Sequence, residues 1–387
     1  MAVWDELTGQ PEAIQLVEAA VEASRLSAGD SAMTHSWLIT GPPGSGRSNL
    51  AFAFAAALMS DGTPQGDAAT VRQVNARTHP DLGLLTSEKV IIPIADVREL
   101  VSTSYFSPSV GRYRVMIIED ADRMREHASN VLLKALEEPP PRTVWILCAP
   151  SEADLIPTIR SRVRTVRLRV PDVTEVAELI ERRDGVDAAT ATVAAREAQS
   201  HIGMAHRLAT SAEARDRRRR TLEVALGIHS ASDAVQGAAA LLELAKADAE
   251  AITLERDAEE RDSAMRSLGI EPGGTIPPAL RAQLKTLDDD QKRRATRSLR
   301  DGIDRIMIDL LSLYRDILLV QLGVPSEPIN LSIVEHVTAA ALASTSVETL
   351  TTMDAIAIAR RRIEGNVSPA LALEAMLVTA ARKVLRP

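Results

Sequence analysis

Apolar residues follow two regimes along this chain. Up to about residue 168, short apolar runs alternate with longer stretches whose apolar positions recur at helical spacing. Residues 36–40, 81–85, 114–118, 143–149 and 165–170 read as buried strands. Helices are predicted over 11–28, 48–60, 94–102 and 126–138. Strands separated by helices imply a parallel, doubly wound sheet that takes ligands at the carboxyl ends of its strands. Pro139-Pro140-Pro141 ends the fourth helix, because proline cannot continue it.

Beyond the last strand the strand-length runs disappear. Pro171 opens Ala-rich helices broken at Gly185 and Gly203, and from about residue 213 the chain reads as wholly helical. Ile303, Ile306, Met307, Leu310, Leu311, Tyr314, Ile317 and Leu318 form one stripe at helical spacing, the mark of a bundle core. Residues 269–278, with Glu271-Pro272-Gly273-Gly274, predict a loop, and 261–267 a mobile approach to it. The pattern divides the chain into 1–168, 169–212 and 213–387, and no internal repeat is evident.

Composition narrows the function. Aromatics make up 2% of the 387 residues, so the cores are aliphatic and Ala-rich, which favours packed helices. Met1-Ala2-Val3-Trp4-Asp5 lacks the features of a secretion signal, and no apolar run approaches a membrane span. One cysteine, Cys148, excludes an internal disulfide and a Cys-rich zinc site. A cytoplasmic protein without membrane contact is expected. With 45 basic and 53 acidic side chains, the net charge of −8 argues against uniform nucleic-acid binding. The basic runs 215–220 and 292–300 read as solvated helix faces.

Candidate chemistry begins at Gly41-Pro42-Pro43-Gly44-Ser45-Gly46-Arg47-Ser48, between a predicted strand and a predicted helix. Such a loop cradles di- or triphosphate oxygens with backbone N–H groups and the positive helix end. Arg47 stands where lysine is usual, and a planar fork does not replace a compact point charge. Nucleotide binding is expected and hydrolysis is questioned. Glu119-Asp120 follows the strand 114–118, where one acid would hold Mg²⁺ and the next would orient water. The usual order is Asp then Glu. The inversion shortens the base position by roughly 1.5 Å of reach, enough to impair water activation.

Asn130-Val131-Leu132-Leu133-Lys134-Ala135-Leu136-Glu137-Glu138-Pro139-Pro140 resembles a helix of bacterial clamp loaders, in their actinobacterial form. Ile156-Pro157-Thr158-Ile159-Arg160-Ser161-Arg162-Val163 resembles their Ser-Arg-Cys segment. Leu7-Thr8-Gly9-Gln10 and His35-Ser36-Trp37-Leu38 match the family's entry to the nucleotide domain. These motifs, in order over residues 4–210, resemble AAA+ clamp-loader subunits. The resemblance implies an α/β P-loop AAA+ domain (1–168), a small helical lid (169–212) and an all-α C-terminal collar (213–387). It implies a subunit of a five-membered ring with delta and tau/gamma type partners, which places a sliding clamp on primed DNA. ATP or ADP with Mg²⁺ is the implied cofactor. Arg162 maps onto the arginine finger that such subunits extend to a neighbour's ATP.

Departures from the family pattern accompany these matches. Ala149-Pro150 replaces a phosphate-sensing Thr, and His201-Ile202-Gly203-Met204-Ala205 lacks an Arg, the nearest being Arg207. No cysteine occupies the family's zinc knuckle between Ser60 and Leu82, where Ala68 and Val71 stand instead, so no zinc is expected and His79 is expected to be structural. Cis hydrolytic parts are altered while the trans donor is retained. A stand-alone or motor-type P-loop ATPase is the alternative, and a small-molecule kinase is disfavoured by the helical C-terminal half.

Overall fold

A computed structural model describes residues 4, 7–25, 33–42, 44–61, 66–86, 91–267 and 281–381. They form two compact units, residues 1–209 and 210–387. The predicted loop at 269–278 lies outside the described residues.

In the first unit, α1 (Pro11–Ala23) precedes β1 (Ser36–Thr40), α2 (Arg47–Met59), α3 (Ala68–Asn75) and β2 (Leu82–Leu85). Next come α4 (Ile94–Ser104), β3 (Arg114–Ile118), α5 (Glu126–Glu137), β4 (Thr143–Ala149), α6 (Pro157–Arg160) and β5 (Arg164–Arg167). The strands build one parallel sheet in the order β2-β3-β4-β1-β5. β1 therefore lies between two strands that follow it late in the chain, with Trp37 opposite Ile146 of β4 and Arg164 of β5.

Alternation sorts side chains onto two buried layers. Trp37, Ile39, Val115, Ile117, Val144 and Ile146 join α1 and α2. Leu38, Met116, Ile118, Trp145 and Leu147 join α4 and α5. Trp37 meets Phe54 of α2 edge-on at 5.1 Å, and the Arg164 guanidinium covers its ring at 5.2 Å. α1 ends at Ala23, where the Ser24 hydroxyl donates to the Val21 carbonyl at 2.6 Å, short of the predicted end at 28.

The unit closes with α7 (Val173–Asp184), α8 (Ala188–Glu197) and α9 (Ile202–Thr210). Asp187 caps α8 by accepting from the Thr190 amide at 2.9 Å. Asp184, at the end of α7, bonds His206 of α9 at 2.8 Å.

The second unit is helical, with α10 (Ala212–Leu226), α11 (Ala231–Ser267), α12 (Arg281–Gln321), α13 (Val334–Ala343), α14 (Ser346–Glu364) and α15 (Pro369–Ala381). Residues 261–267, read as an approach to a loop, continue the helical backbone of α11. The predicted stripe on α12 supplies Ile303, Met307, Leu310, Tyr314 and Ile317 to the core. Gly302 brings α12 close to α11, since a Cβ there would lie 3.2 Å from the Ala245 carbonyl.

The basic run 215–220 is only partly a solvated face. Arg218 is buried, bonding Asp309 of α12 at 3.3 Å and the Asn330 side chain at 2.6 Å. Asp316 in turn accepts from Asn330 at 2.9 Å, and Arg305 pairs with Asp309 at 3.2 Å. Burial of this guanidinium is offset by the Asp309 carboxylate and by the neutral amide oxygen of Asn330.

Candidate functional site

The glycine loop runs from the end of β1 into α2. The Gly41 amide donates to the Pro150 carbonyl at 3.2 Å, and a Cβ on Gly41 would lie 2.8 Å from that of Leu168. Gly44 and Gly46 take φ of +80° and +92°, a region that glycine enters without steric cost. Gln10 ties the loop down. Its amide donates to the Ser45 carbonyl at 3.4 Å and the Arg169 carbonyl at 2.8 Å, and its oxygen accepts from the Arg169 amide at 3.1 Å. Pro43 lies outside the described residues.

Arg47 opens α2 with its guanidinium folded back onto its own loop. Nη1 donates to the Gly41 carbonyl, and Nη2 lies 3.9 Å from the Asp120 carboxylate. Asp120, at φ +51°, also faces Arg123 at 3.6 Å. Glu119 instead accepts from the Thr86 hydroxyl at 2.7 Å. Asp122 leaves a buried Oδ1 without a partner, and burial followed by the neighbouring Asp120 charge raises its pKa. Ser45 Oγ is likewise buried and unpartnered, while Ser48 is half-buried in the first turn of α2. Cys148 lies beneath the loop, and burial pushes its thiol far above the usual range.

The remaining predicted positions divide between this loop and a second surface. Ala149 is buried, and Pro150 meets the loop through its carbonyl. His201 packs so closely on Gly44 that a Cβ there would collide with its ring. Its Nδ1 accepts from the Met204 amide at 3.2 Å, which caps α9. Sequence reading missed this contact, although a histidine just ahead of a helix start was a usable signal. Arg207 is half-buried within α9.

Arg162, just after α6, is paired with Glu137, the last residue of α5. Nε donates to Glu137 Oε1 at 2.6 Å with Nη2 against the same oxygen, and Nη1 donates to Thr158 O at 2.7 Å and Ser161 Oγ at 3.0 Å.

Where a zinc knuckle was considered, the chain folds as α3. Asp67 caps that helix through the Thr70 amide at 2.8 Å, and its own amide donates to buried Ser60 at 3.1 Å. His79 Nδ1 accepts from the Asp81 amide at 3.1 Å, a structural task. Among the described residues no group of His, Cys, Asp and Glu has the arrangement of a metal site. No helix among them is long and apolar enough to cross a membrane.

A family profile described as DNA polymerase III, delta subunit, matches residues 10–172. The chain is 36% identical over 134 residues to the DNA polymerase III subunit delta' of Pseudomonas aeruginosa. Over this segment the chain is similar to DNA polymerase III delta-type subunits. A second relative, the DNA polymerase III subunit delta' of Yersinia pestis, is 33% identical over 144 residues. The two alignments cover 33% and 36% of this chain, and 41% and 42% of the relatives, less than half their length. A crystal structure of a DNA polymerase III gamma subunit-related protein from Thermotoga maritima aligns over 95% of this chain and 99% of its own, with a TM-score of 0.43 and 17% identity.

Proposed function

We propose that this chain is a delta-prime type subunit of a bacterial DNA polymerase III clamp loader, one that hydrolyses little or no ATP itself. It works in a hetero-pentameric ring with delta and tau/gamma type subunits, which opens the sliding clamp and loads it on primed DNA during replication. Residues 1–168 are its AAA+ domain, 169–212 its lid and 213–387 its collar. Arg162 is its contribution to chemistry, reaching the ATP of a neighbouring subunit.

The observation that carries this reading is Arg47. Positive φ at Gly44 and Gly46 ahead of α2, with a spare hydroxyl at Ser45, suits a nucleotide phosphate. The metal side does not suit Mg²⁺, because Asp120 already faces two guanidiniums. A lysine in place of Arg47 would release the Gly41 carbonyl and remove one of the two guanidiniums from Asp120. ATP or ADP can therefore seat on the backbone cradle without the groups that cleave it.

The isolated chain is expected to turn over ATP negligibly, with little gain from clamp and primed DNA. In the reconstituted loader, Arg162→Ala is expected to leave assembly intact and to slow hydrolysis at the facing site by roughly 10³-fold or more. Brisk turnover by the isolated chain would instead establish a motor-type ATPase.

A further inference from the structure

We infer that Glu137 is a positioning residue for Arg162, holding the guanidinium ready for a nucleoside triphosphate bound by a neighbouring subunit. This rests on the trans role of Arg162 proposed above. A free arginine on a surface samples many rotamers, and its side chain carries about 2 kcal/mol of rotamer entropy. Here that freedom is already spent. Glu137 takes Nε and Nη2, while the Thr158 carbonyl and Ser161 hydroxyl take Nη1. A guanidinium has five N–H donors, so these contacts leave one Nη2 hydrogen for an incoming oxygen.

The placement is written into both elements. Glu137 ends α5, whose C-terminal stop is set by the prolines at 139–141, so its carboxylate cannot drift along a longer helix. Arg162 follows the single turn of α6, whose own carbonyl at Thr158 serves as one of the clamps. Both side chains remain partly exposed, at 33% and 46%, so the pair adds little to stability. Its effect is to restrict geometry, and orientation of a reacting group is worth more in rate than such a pair is worth in folding.

The test uses the complete reconstituted loader, with clamp and primed DNA, and measures kcat and KM for ATP. Glu137→Ala is expected to lower kcat about tenfold with KM little changed. Glu137→Gln, which keeps an oxygen to accept from Nε, is expected to restore most of it. Adding Glu137→Ala to Arg162→Ala is expected to cost nothing more, whereas an unrelated structural defect would compound the loss. If Arg162→Ala slows the complex but Glu137→Ala does not, or if Gln fails to rescue, the positioning role is wrong while the finger stands. If Arg162→Ala itself is silent, the finger reading fails and the positioning role falls with it.

Discussion

Two arginines divide the work at the residue scale. Arg47 is turned inward on Gly41 and Asp120, whereas Arg162 lies at the surface in a clamp of three acceptors. Lysine at position 47 would be a compact ammonium without the fork that spans the Gly41 carbonyl and Asp120. Arg47→Lys is therefore expected to bind labelled ADP or ATP about tenfold more tightly than the wild type, a gain of ~1.4 kcal/mol. Equal affinities in an equilibrium titration would show that the folded-back guanidinium does not compete with phosphate.

Between elements, Asp81 does what hydrophobic patterning could not announce. It sits at the entry to β2, read from the sequence as a strand residue, yet its carboxylate anchors the segment entering β3. It accepts from the Ser109 amide at 2.7 Å and hydroxyl at 2.9 Å, and from the amides of Val110 and Gly111 at 2.8 and 2.7 Å. Burial alone would raise its pKa, but the amides of Ser109, Gly111 and Val110 outweigh it and hold the carboxyl below the usual range. Its stabilisation is therefore present above the ordinary carboxyl pKa of about 3.9 and lost as pH falls toward the depressed native value. Asp81→Asn is expected to cost about 2 kcal/mol near pH 6, a deficit that narrows by pH 3 in denaturant titrations.

Much of this unit was legible beforehand. β1, β3 and β4 keep their predicted bounds, and each is built on a continuous apolar run, as strands covered on both faces are. α3 was not legible, because it is only eight residues long and Val74 is its one buried residue. The partners of site residues were hidden for another reason. Gly44 with His201, and Arg162 with Glu137, are joined by topology across long sequence separations, which single-chain periodicity does not encode.

At the scale of the whole molecule, the two units rest on different cores: a sheet sandwiched by helices, and a bundle pinned by Arg218. Removing that guanidinium would leave Asn330 short of a donor and Asp309 with less compensation in a buried setting. Arg218→Ala is expected to destabilise the second unit by about 3 kcal/mol. Circular dichroism melts, dominated by helix, would register the shift. Unchanged melting would mean that the network relaxes around the loss.

The placement of the indole rings gives a way to see these events separately. Trp4, Trp37 and Trp145 are the chain's three tryptophans, and all lie in the first unit, two of them inside the sheet on opposite faces. Tyr314, its phenol pushed up to about 12 by burial, lies in the core of the other unit. Indole emission thus reports on the phosphate-loop half alone, so comparing it with helical ellipticity distinguishes which half of the polypeptide gives way first, with no label attached.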